Sequence, residues 1–465
     1  YVYDDLGRPV RTLLPDGTLV GTGYCAGDAT PCKSVDALGI VTSRDTDPLG
    51  RVLTATNGLG VAAAMRYDGL GRQTRQIDPL GNITQFRYDG AGRLTRVIDP
   101  LGHQTIYNFD ARGNLASLTD ANGHSRTYAF DALGRVVRET DAAGRIAKGY
   151  YDAAGDLYKT VDPNNVATLY GYTPEGKPAS LTTPDGVDLY AYDGMGRSSG
   201  ESNAIAATSR AYDAQGRVVS ETQVISGAAR TLAYGYTPDG RMISMTLPGG
   251  ATTTYGYDVM DRLSSITDHT GGVTTLSYDA GGRRTRLRLP NGVTTSYAWD
   301  NAYRLTAQIT RNAAGVVLAA FSYSYDAANR RTSLTDMAGH STTYAYDANS
   351  RLTAVAYGNG RTQSFTYDNV GNRLSQTVNG VTTTYSYDVA DRLTSETTAG
   401  QTTTYAYDDN GNLLSRTSVA ASGVYTFNQR NQLVGATAPG AGQWNFGYFP
   451  GGGRAFEQAA LPGGG

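Results

Sequence analysis

Cysteine, histidine and tryptophan are scarce in this chain, at two, four and two residues in 465. Two cysteines cannot build the disulfide framework of a small secreted scaffold, and the spacing of Cys25 and Cys32 is wrong for a zinc ribbon. Two readings of them stand side by side: a local disulfide clipping the irregular stretch from Gly21 to Ser34 in an exported protein, or two unrelated thiols. Charge is also sparse. Only 18% of residues are charged, the formal net charge is -2, the pI is near 6.1 and no Lys/Arg cluster stands out, so nucleic acid is not an expected partner. No apolar run is long enough for a transmembrane helix, and no signal peptide or targeting tail is visible. No segment sustains a 3.6-residue period, which removes helices from the expected fold.

Tyrosine, by contrast, is abundant at 34 residues. A Tyr-Asp position, or its equivalent, recurs at Tyr67, Tyr88, Phe109, Phe130, Tyr151 and Tyr172, always 21 residues apart. It returns at Tyr192, Tyr212, Tyr236, Tyr257, Tyr278 and Trp299, then at Tyr325, Tyr346, Tyr367, Tyr387, Tyr407 and Phe427, mostly 20 or 21 apart. With Tyr3 and a weaker Thr46-Asp47 the array counts 20 units, and a fixed period of this kind means stacked supersecondary units. Length alone would suggest two or three domains, but the period runs almost end to end and predicts one body. We read residues 1–45 as irregular first repeats with a Cys-containing loop and 46–449 as the repeat array. Residues 450–465 read as a glycine-rich tail, a fraying end or linker. The chain opens at Tyr1-Val2-Tyr3-Asp4, already inside a repeat, and so reads as a piece of something longer.

Each unit carries two Asp-x-x-Gly turns, such as Asp68-Gly69-Leu70-Gly71 and Asp78-Pro79-Leu80-Gly81, and only strands fit between them. Asp at the first position bonds the turn backbone, and Pro at the second (Pro48, Pro79, Pro100, Pro163) presets φ for a type I turn. The fourth position then needs φ > 0, as in the hairpin loop made of a type I turn and a left-handed residue. Asn165, Asn329, Asp261 and Asp391 replace Gly there, and these types tolerate the left-handed region. Ser350 and Tyr303 break the pattern, and strain or a different loop is expected at Tyr303. Between turns, Tyr344-Ala345-Tyr346, Tyr385-Ser386-Tyr387 and Tyr405-Ala406-Tyr407 alternate large with small residues, the two-residue period of strands. Thr runs at 252–254, 382–384 and 402–404 suit a pleated surface. The longer steps predict lengthened hairpins at 222–233 and 308–320, on one rim of the sheet.

Motifs for chemistry resolve into repeat logic. Gly171 to Pro178 comes within one residue of a phosphate loop but lacks the final Ser/Thr and a following helix. Gly196-Arg197-Ser198-Ser199-Gly200 matches a nucleophile pattern, yet Gly196 is the turn glycine of its repeat and no strand-to-helix elbow is expected. Gly21 to Ala26 fails as a dinucleotide fingerprint for want of a helix and a downstream acid. His103, His124, His269 and His340 fall at or just after second turns. His103 and His124, one period apart, are the sole hint of a metal site, against the plainer reading of exposed turn residues. The Arg that follows the turn glycine (Arg93, Arg135, Arg217, Arg392) reads as a turn residue bonding Asp or carbonyls rather than a polyanion ladder. No catalytic, cofactor-binding or metal-binding residue is assigned, and the chain reads as a non-enzyme.

Twenty units of two strands give about 40 strands and, at about 4.8 Å each, a contour of roughly 190 Å. Open sheets rarely pass about ten strands without curling or splitting. Rolled once, the strip would enclose roughly 60 Å; coiled twice, roughly 30 Å, against about 10 Å that side chains fill between facing sheets. A curled sheet around a cavity is therefore expected, with a flat sandwich or separate propeller blades as the other outcomes.

Tyr88-Asp89-Gly90-Ala91-Gly92-Arg93-Leu94 and Tyr367-Asp368-Asn369-Val370-Gly371-Asn372-Arg373-Leu374, repeated at this period over about residues 46–449, resemble the Rhs/YD-repeat family. The resemblance implies an all-β fold, a continuous antiparallel sheet of hairpins spiralled into a hollow shell. In bacterial members, including polymorphic toxins of type VI secretion and shells of Tc toxin complexes, that cocoon encloses a C-terminal toxic domain; related repeats in animal teneurins serve adhesion. The family's Asp-Pro-x-Gly self-cleavage element is not carried over, because Asp47, Asp78 and Asp99 begin ordinary repeat turns. The expectation is a non-catalytic encapsulating shell, secreted or at the cell surface. Its partners would be a C-terminal toxin cargo absent from these residues and a secretion apparatus or chaperone. The alternative is a surface adhesion module whose aromatic ladders bind a glycan or a protein, and a remote third is a hydrolase using Ser198.

Overall fold

A computed structural model describes residues 1–25, 30–438 and 442–460. Its 44 strands, numbered β1 to β44 in chain order, belong to one antiparallel sheet, and the described residues contain no helix. The sequence leads to about 40 strands; the other four come from two hairpins whose turns lack the repeat's Asp. In one, β3 (Leu19–Tyr24) pairs with β4 (Pro31–Val35), and Cys25 stands where Asp is usual. Cys25 and Cys32 are joined in a disulfide across this loop, whose residues 26–29 lie outside the described residues. In the other, β43 (Gly442–Tyr448) pairs with β44 (Arg454–Ala460) and Phe449 begins the turn, its N–H bonded to the Gly453 carbonyl at 2.9 Å. Part of the stretch read as a fraying tail is thus a hairpin strand; residues 461–465 lie outside the described residues.

Turn chemistry sets the hairpins as the sequence predicts. Asp68 N–H bonds the Arg72 carbonyl and Gly71 N–H bonds the Asp68 carbonyl, both at 3.0 Å. Gly71 has φ 84°, and the register slips by one residue between Arg66 and Tyr67. A type I turn closed by a left-handed residue and a bulge does this. Asn165, Asn329, Asp261, Asp391 and Ser350 adopt the same conformation at φ 60–65°. So does Tyr303, at φ 64° with the same two turn bonds to Asp300 and Arg304. The loop is unchanged there, and a bulky residue is held in a region that favours glycine.

Some second turns are shorter than the two Asp-x-x-Gly turns per repeat that the sequence suggests. Thr183 pairs directly with Gly186, Val378 with Val381 and Thr398 with Gln401, leaving two-residue loops. Asn379-Gly380 and Ala399-Gly400 both have positive φ, the primed turn suited to sheet twist. These tight loops account for three of the five 20-residue steps, those from Tyr172, Tyr367 and Tyr387. The long steps lengthen strands: β22 (Val218–Ile225) and β23 (Ala228–Tyr236) meet at Ser226-Gly227, and β30 (Leu305–Arg311) pairs with β31 (Val317–Tyr325).

The chain divides into two compact units, one of residues 1–105 with 252–365 and the other of 106–251 with 366–465. Neither is built around a thick core. Among the described residues only Cys32, Ile40, Ala206, Val355, Tyr385 and Phe449 are buried apolar side chains. The accessible surface is 25334 Å², where a globular chain of this mass would show about 17,000 Å². A sandwich would bury a core between two faces, and that outcome is excluded; membership of one sheet excludes separate blades. Side chains instead shelter one another along a face. Tyr344 lies opposite Val355 and Tyr346 opposite Leu352, cross-strand pairs worth about 0.2–1 kcal/mol each.

Candidate functional site along the hairpin rims

The Tyr-Asp rim is a ladder in which most repeats hold the next. In one rung, Asp68 Oδ1 accepts the N–H groups of Leu70 and Arg72 at 3.0 and 2.9 Å, and Oδ2 accepts Arg72 Nε at 2.7 Å. Arg72 reaches on to donate from Nη1 to the Asp89 carbonyl at 3.1 Å. Its guanidinium lies 4.8 Å over the Tyr88 ring, and the Tyr88 hydroxyl donates to the Gln73 carbonyl at 2.8 Å. The same rung recurs at Arg262 with Tyr278 and at Arg330 with Tyr346. Trp299, in the tyrosine position, keeps it by donating Nε1–H to the Arg284 carbonyl at 3.0 Å. Lys177 fills the arginine's place, its ammonium 5.1 Å over Tyr192 and bonded to the Gly196 carbonyl. This explains the phosphate-loop look-alike, since Gly171 is the last residue but one of strand β17 (Ala167–Tyr172) and Pro178 opens β18 (Pro178–Thr183). Cation–π contact contributes about 0.5–1 kcal/mol at exposed sites, and each hydrogen bond about 1 kcal/mol.

These bonds displace titrations in both directions. At Asp68, Asp131, Asp193 and Asp213 the carboxyl lies below its usual value, chiefly through the backbone N–H of the arginine four residues on. Desolvation opposes this, and the arginine side chain adds to it. Tyr303 is pushed up to about 12, by burial first and then by its bond to Asp36; burial also raises Tyr325, Tyr346 and Tyr407. A depressed carboxyl stabilises the fold above its unfolded pKa, about 3.9, and that gain is lost as pH falls through the folded value. A raised phenol stabilises the fold below about 10, and that gain is lost as pH rises toward the folded value. Stability measured by denaturant titration is therefore expected to be level between about pH 5 and 9 and to fall outside that window on both sides.

The opposite rim, made of second turns, meets the Tyr-Asp rim of a distant stretch within the same unit. In the first unit the Tyr303 hydroxyl donates to the Asp36 carboxylate and Asn349 Nδ2 to Asp99 Oδ2, 267 and 250 residues apart. In the second unit Asn122 Nδ2 donates to Asp368 Oδ2 at 2.9 Å and Asn164 Nδ2 to Asp408 Oδ2 at 2.9 Å. Further along, Arg430 Nη1 donates to Asp188 Oδ1 at 2.6 Å and Asn203 Nδ2 to the Tyr448 carbonyl at 3.1 Å. These four contacts span 242 to 246 residues. Sequence reasoning missed this seam, because short polar residues in turns carry no mark of a partner so far away.

The residues considered for chemistry are placed as follows. Ser198 opens strand β20 (Ser198–Ser202), directly after Gly196 and Arg197, its hydroxyl within 3.4 Å of Arg210 Nη1. No elbow is formed. His103 and His340 bond their own turn aspartates, Asp99 at 2.9 Å and Asp336 at 3.2 Å. His124 departs from this pattern and faces both Asp120 and the distant Asp391. No helix among the described residues is long and apolar enough to cross a membrane.

The RHS Repeat family matches residues 67–104, 109–146, 151–188 and, in overlapping copies, 212–294. The Teneurin YD-shell family matches residues 294–450. The chain belongs to the Rhs/YD-repeat family. No curated protein matches the sequence. Among solved structures, a Tc holotoxin pore of Photorhabdus luminescens matches with TM-score 0.75 at 16% identity, over 99% of this chain and 29% of that one. The TcdB2-TccC3 crystal structure matches with TM-score 0.54 at 14% identity, over 95% and 37%. The form of it without the hypervariable C-terminal region matches with TM-score 0.54 at 17% identity, over 100% and 28%. The likeness shows that this Rhs/YD-repeat chain has the fold of the Tc toxin shells, and it spans less than a third of the holotoxin chain.

Proposed function

We propose that these residues are part of the wall of a non-catalytic shell, in a secreted Rhs-type polymorphic toxin of interbacterial competition. The shell would enclose a C-terminal toxin domain lying beyond residue 465. The observation that supports this most is the seam: in both units the loop rims, which an open sheet would leave to water, are hydrogen-bonded edge to edge. A wall has to be closed at its rims. The thinness of the sheet points the same way, because a single layer with few buried side chains suits enclosure better than a solid body. The Cys25–Cys32 disulfide favours an oxidising, exported location, and delivery there would call for a secretion apparatus or chaperone. The adhesion reading gains less, since rung tyrosines such as Tyr88 and Tyr346 have their hydroxyls bonded to backbone carbonyls and are not free to hold a glycan.

Limited proteolysis of the full-length protein is expected to leave a protected C-terminal payload under conditions that digest the same domain alone. Equal rates of digestion would overturn the enclosure reading.

A further inference from the structure

We infer that His124, Asp120 and Asp391 form a divalent-cation site that clips the seam of the second unit, with Zn²⁺ the best match to its donors. His124 Nδ1 lies 3.6 Å from Asp120 Oδ2 and 3.9 Å from Asp391 Oδ1, and the three donor atoms all fall within 4.8 Å of one another. Both separations exceed the length of an N–H···O hydrogen bond, so the ring is not simply bonded to either carboxylate. Indeed His124 Nδ1 is a buried nitrogen without a hydrogen-bond partner, an arrangement proteins rarely tolerate. Its relatives His103 and His340 do close onto their own turn aspartates at 2.9 and 3.2 Å. Donors about 2.1 Å from a tetrahedral ion stand roughly 3.4 Å apart. The observed spacing therefore surrounds a common centre, and it needs to contract by a few tenths of an ångström on the two sides that meet His124 and by up to about 1.4 Å between the carboxylates.

The supporting shell is in place. Asp120 Oδ1 is occupied by the backbone N–H groups of Asn122 and His124, each at 2.9 Å, which turns Oδ2 toward the ring. Asp391 Oδ1 accepts Asn372 Nδ2 at 2.8 Å, an outer-shell bond of the kind that orients metal-binding carboxylates. The three donors line a cavity of about 670 Å³ that also carries Glu139, Asp141 and Asp409 against Arg126, Arg145 and Arg392. Five carboxylates against three guanidiniums leave it negative, and two carboxylates converging on an imidazole nitrogen favour a cation. One imidazole and two carboxylate oxygens suit Zn²⁺ better than Ca²⁺ or Mg²⁺, which prefer oxygen alone. The cavity leaves room for water at the remaining position. A bound ion would link the turn at 120–124 to a turn some 270 residues later, within one unit.

The test is calorimetric titration of the chelator-treated full chain with ZnCl₂, with X-ray absorption at the zinc edge on the loaded protein. One Zn²⁺ per chain with one imidazole and two carboxylate ligands is expected. Affinity should fall at least 10-fold in His124→Gln and in Asp391→Asn, and stay unchanged in His103→Gln. Asn tolerates the left-handed position that residue 391 occupies, so Asp391→Asn keeps the turn. Absence of a stoichiometric site in the wild-type chain, or Zn²⁺ bound equally well by Asp391→Asn, would overturn the proposal. This result is independent of whether the shell carries a toxin.

Discussion

Arg430→Ala is expected to destabilise the second unit by about 3–5 kcal/mol, the usual penalty for stripping the partner from a buried charge. Asp188, in strand β19 (Gly186–Tyr192), is 1% exposed and is the largest fully buried side chain of the described residues. Arg430 bonds it at 2.6 Å and also donates Nη2 to the Gly186 carbonyl at 3.2 Å. The arginine is itself 16% exposed, so the two ends of the pair are unequal. Asp188→Ala leaves a guanidinium that can turn toward water, and should cost less than Arg430→Ala, which leaves a carboxylate with nowhere to go. The double variant should recover much of the loss. Hydrogen exchange at residues 186–192 and 422–432 is the measurement of choice, because repeat arrays lose stability locally as well as globally. An Arg430→Ala loss under about 1 kcal/mol would mean that the seam does not desolvate Asp188 in solution.

Much of the hairpin was legible because its rules are local. Asp at the first turn position, Gly, Asn or Asp at the fourth, and the alternation of Tyr-Ala-Tyr each act within a few residues. Even the departures followed, as with Tyr303, whose strained φ is held by Asp36 bonding its hydroxyl and by Arg283 lying 5.0 Å over its ring. Two hairpins escaped because Cys25 and Phe449 replace the aspartate that marks a unit, although the tyrosine before each still makes its rung: Tyr24 to the Pro9 carbonyl and Tyr448 to that of Leu433. The pairing of the two cysteines was open for a different reason, since a spacing of seven allows a bridge without requiring one. The seam was invisible in principle. Asn122, Asn164 and Asn410 are ordinary turn formers, and nothing in their neighbourhood states that their amides are spent on residues some 246 positions away. Arg430 carried no clearer signal, since its third turn position is also filled by Arg112, Glu175, Asn349 and Asn410 in other repeats.

Gly58→Ala should cost the first unit about 1–3 kcal/mol, whereas Gly69→Ala should be neutral or stabilise by about 0.4–1 kcal/mol. Both glycines hold the second position of a four-residue turn, Asn57-Gly58-Leu59-Gly60 and Asp68-Gly69-Leu70-Gly71, and neither sits in the left-handed region. On local grounds alanine should be welcome at both, since it narrows the unfolded ensemble. Their surroundings differ. A methyl group on Gly69 would meet nothing within 4 Å, while one on Gly58 would lie 2.1 Å from the Asn301 carbonyl oxygen and 2.3 Å from Ile40 Cγ2. The backbone oxygen cannot rotate away, so the turn at 300–303 must move off the turn at 57–60. Loss of protection at both turns in hydrogen exchange would register that movement, and Tyr303, bonded to Asp36 across the same seam, should become easier to ionise. Equal behaviour of the two alanine variants would mean that the rims of the first unit do not touch in solution. Their closure, on which the enclosure reading rests, would then lack its support in that unit.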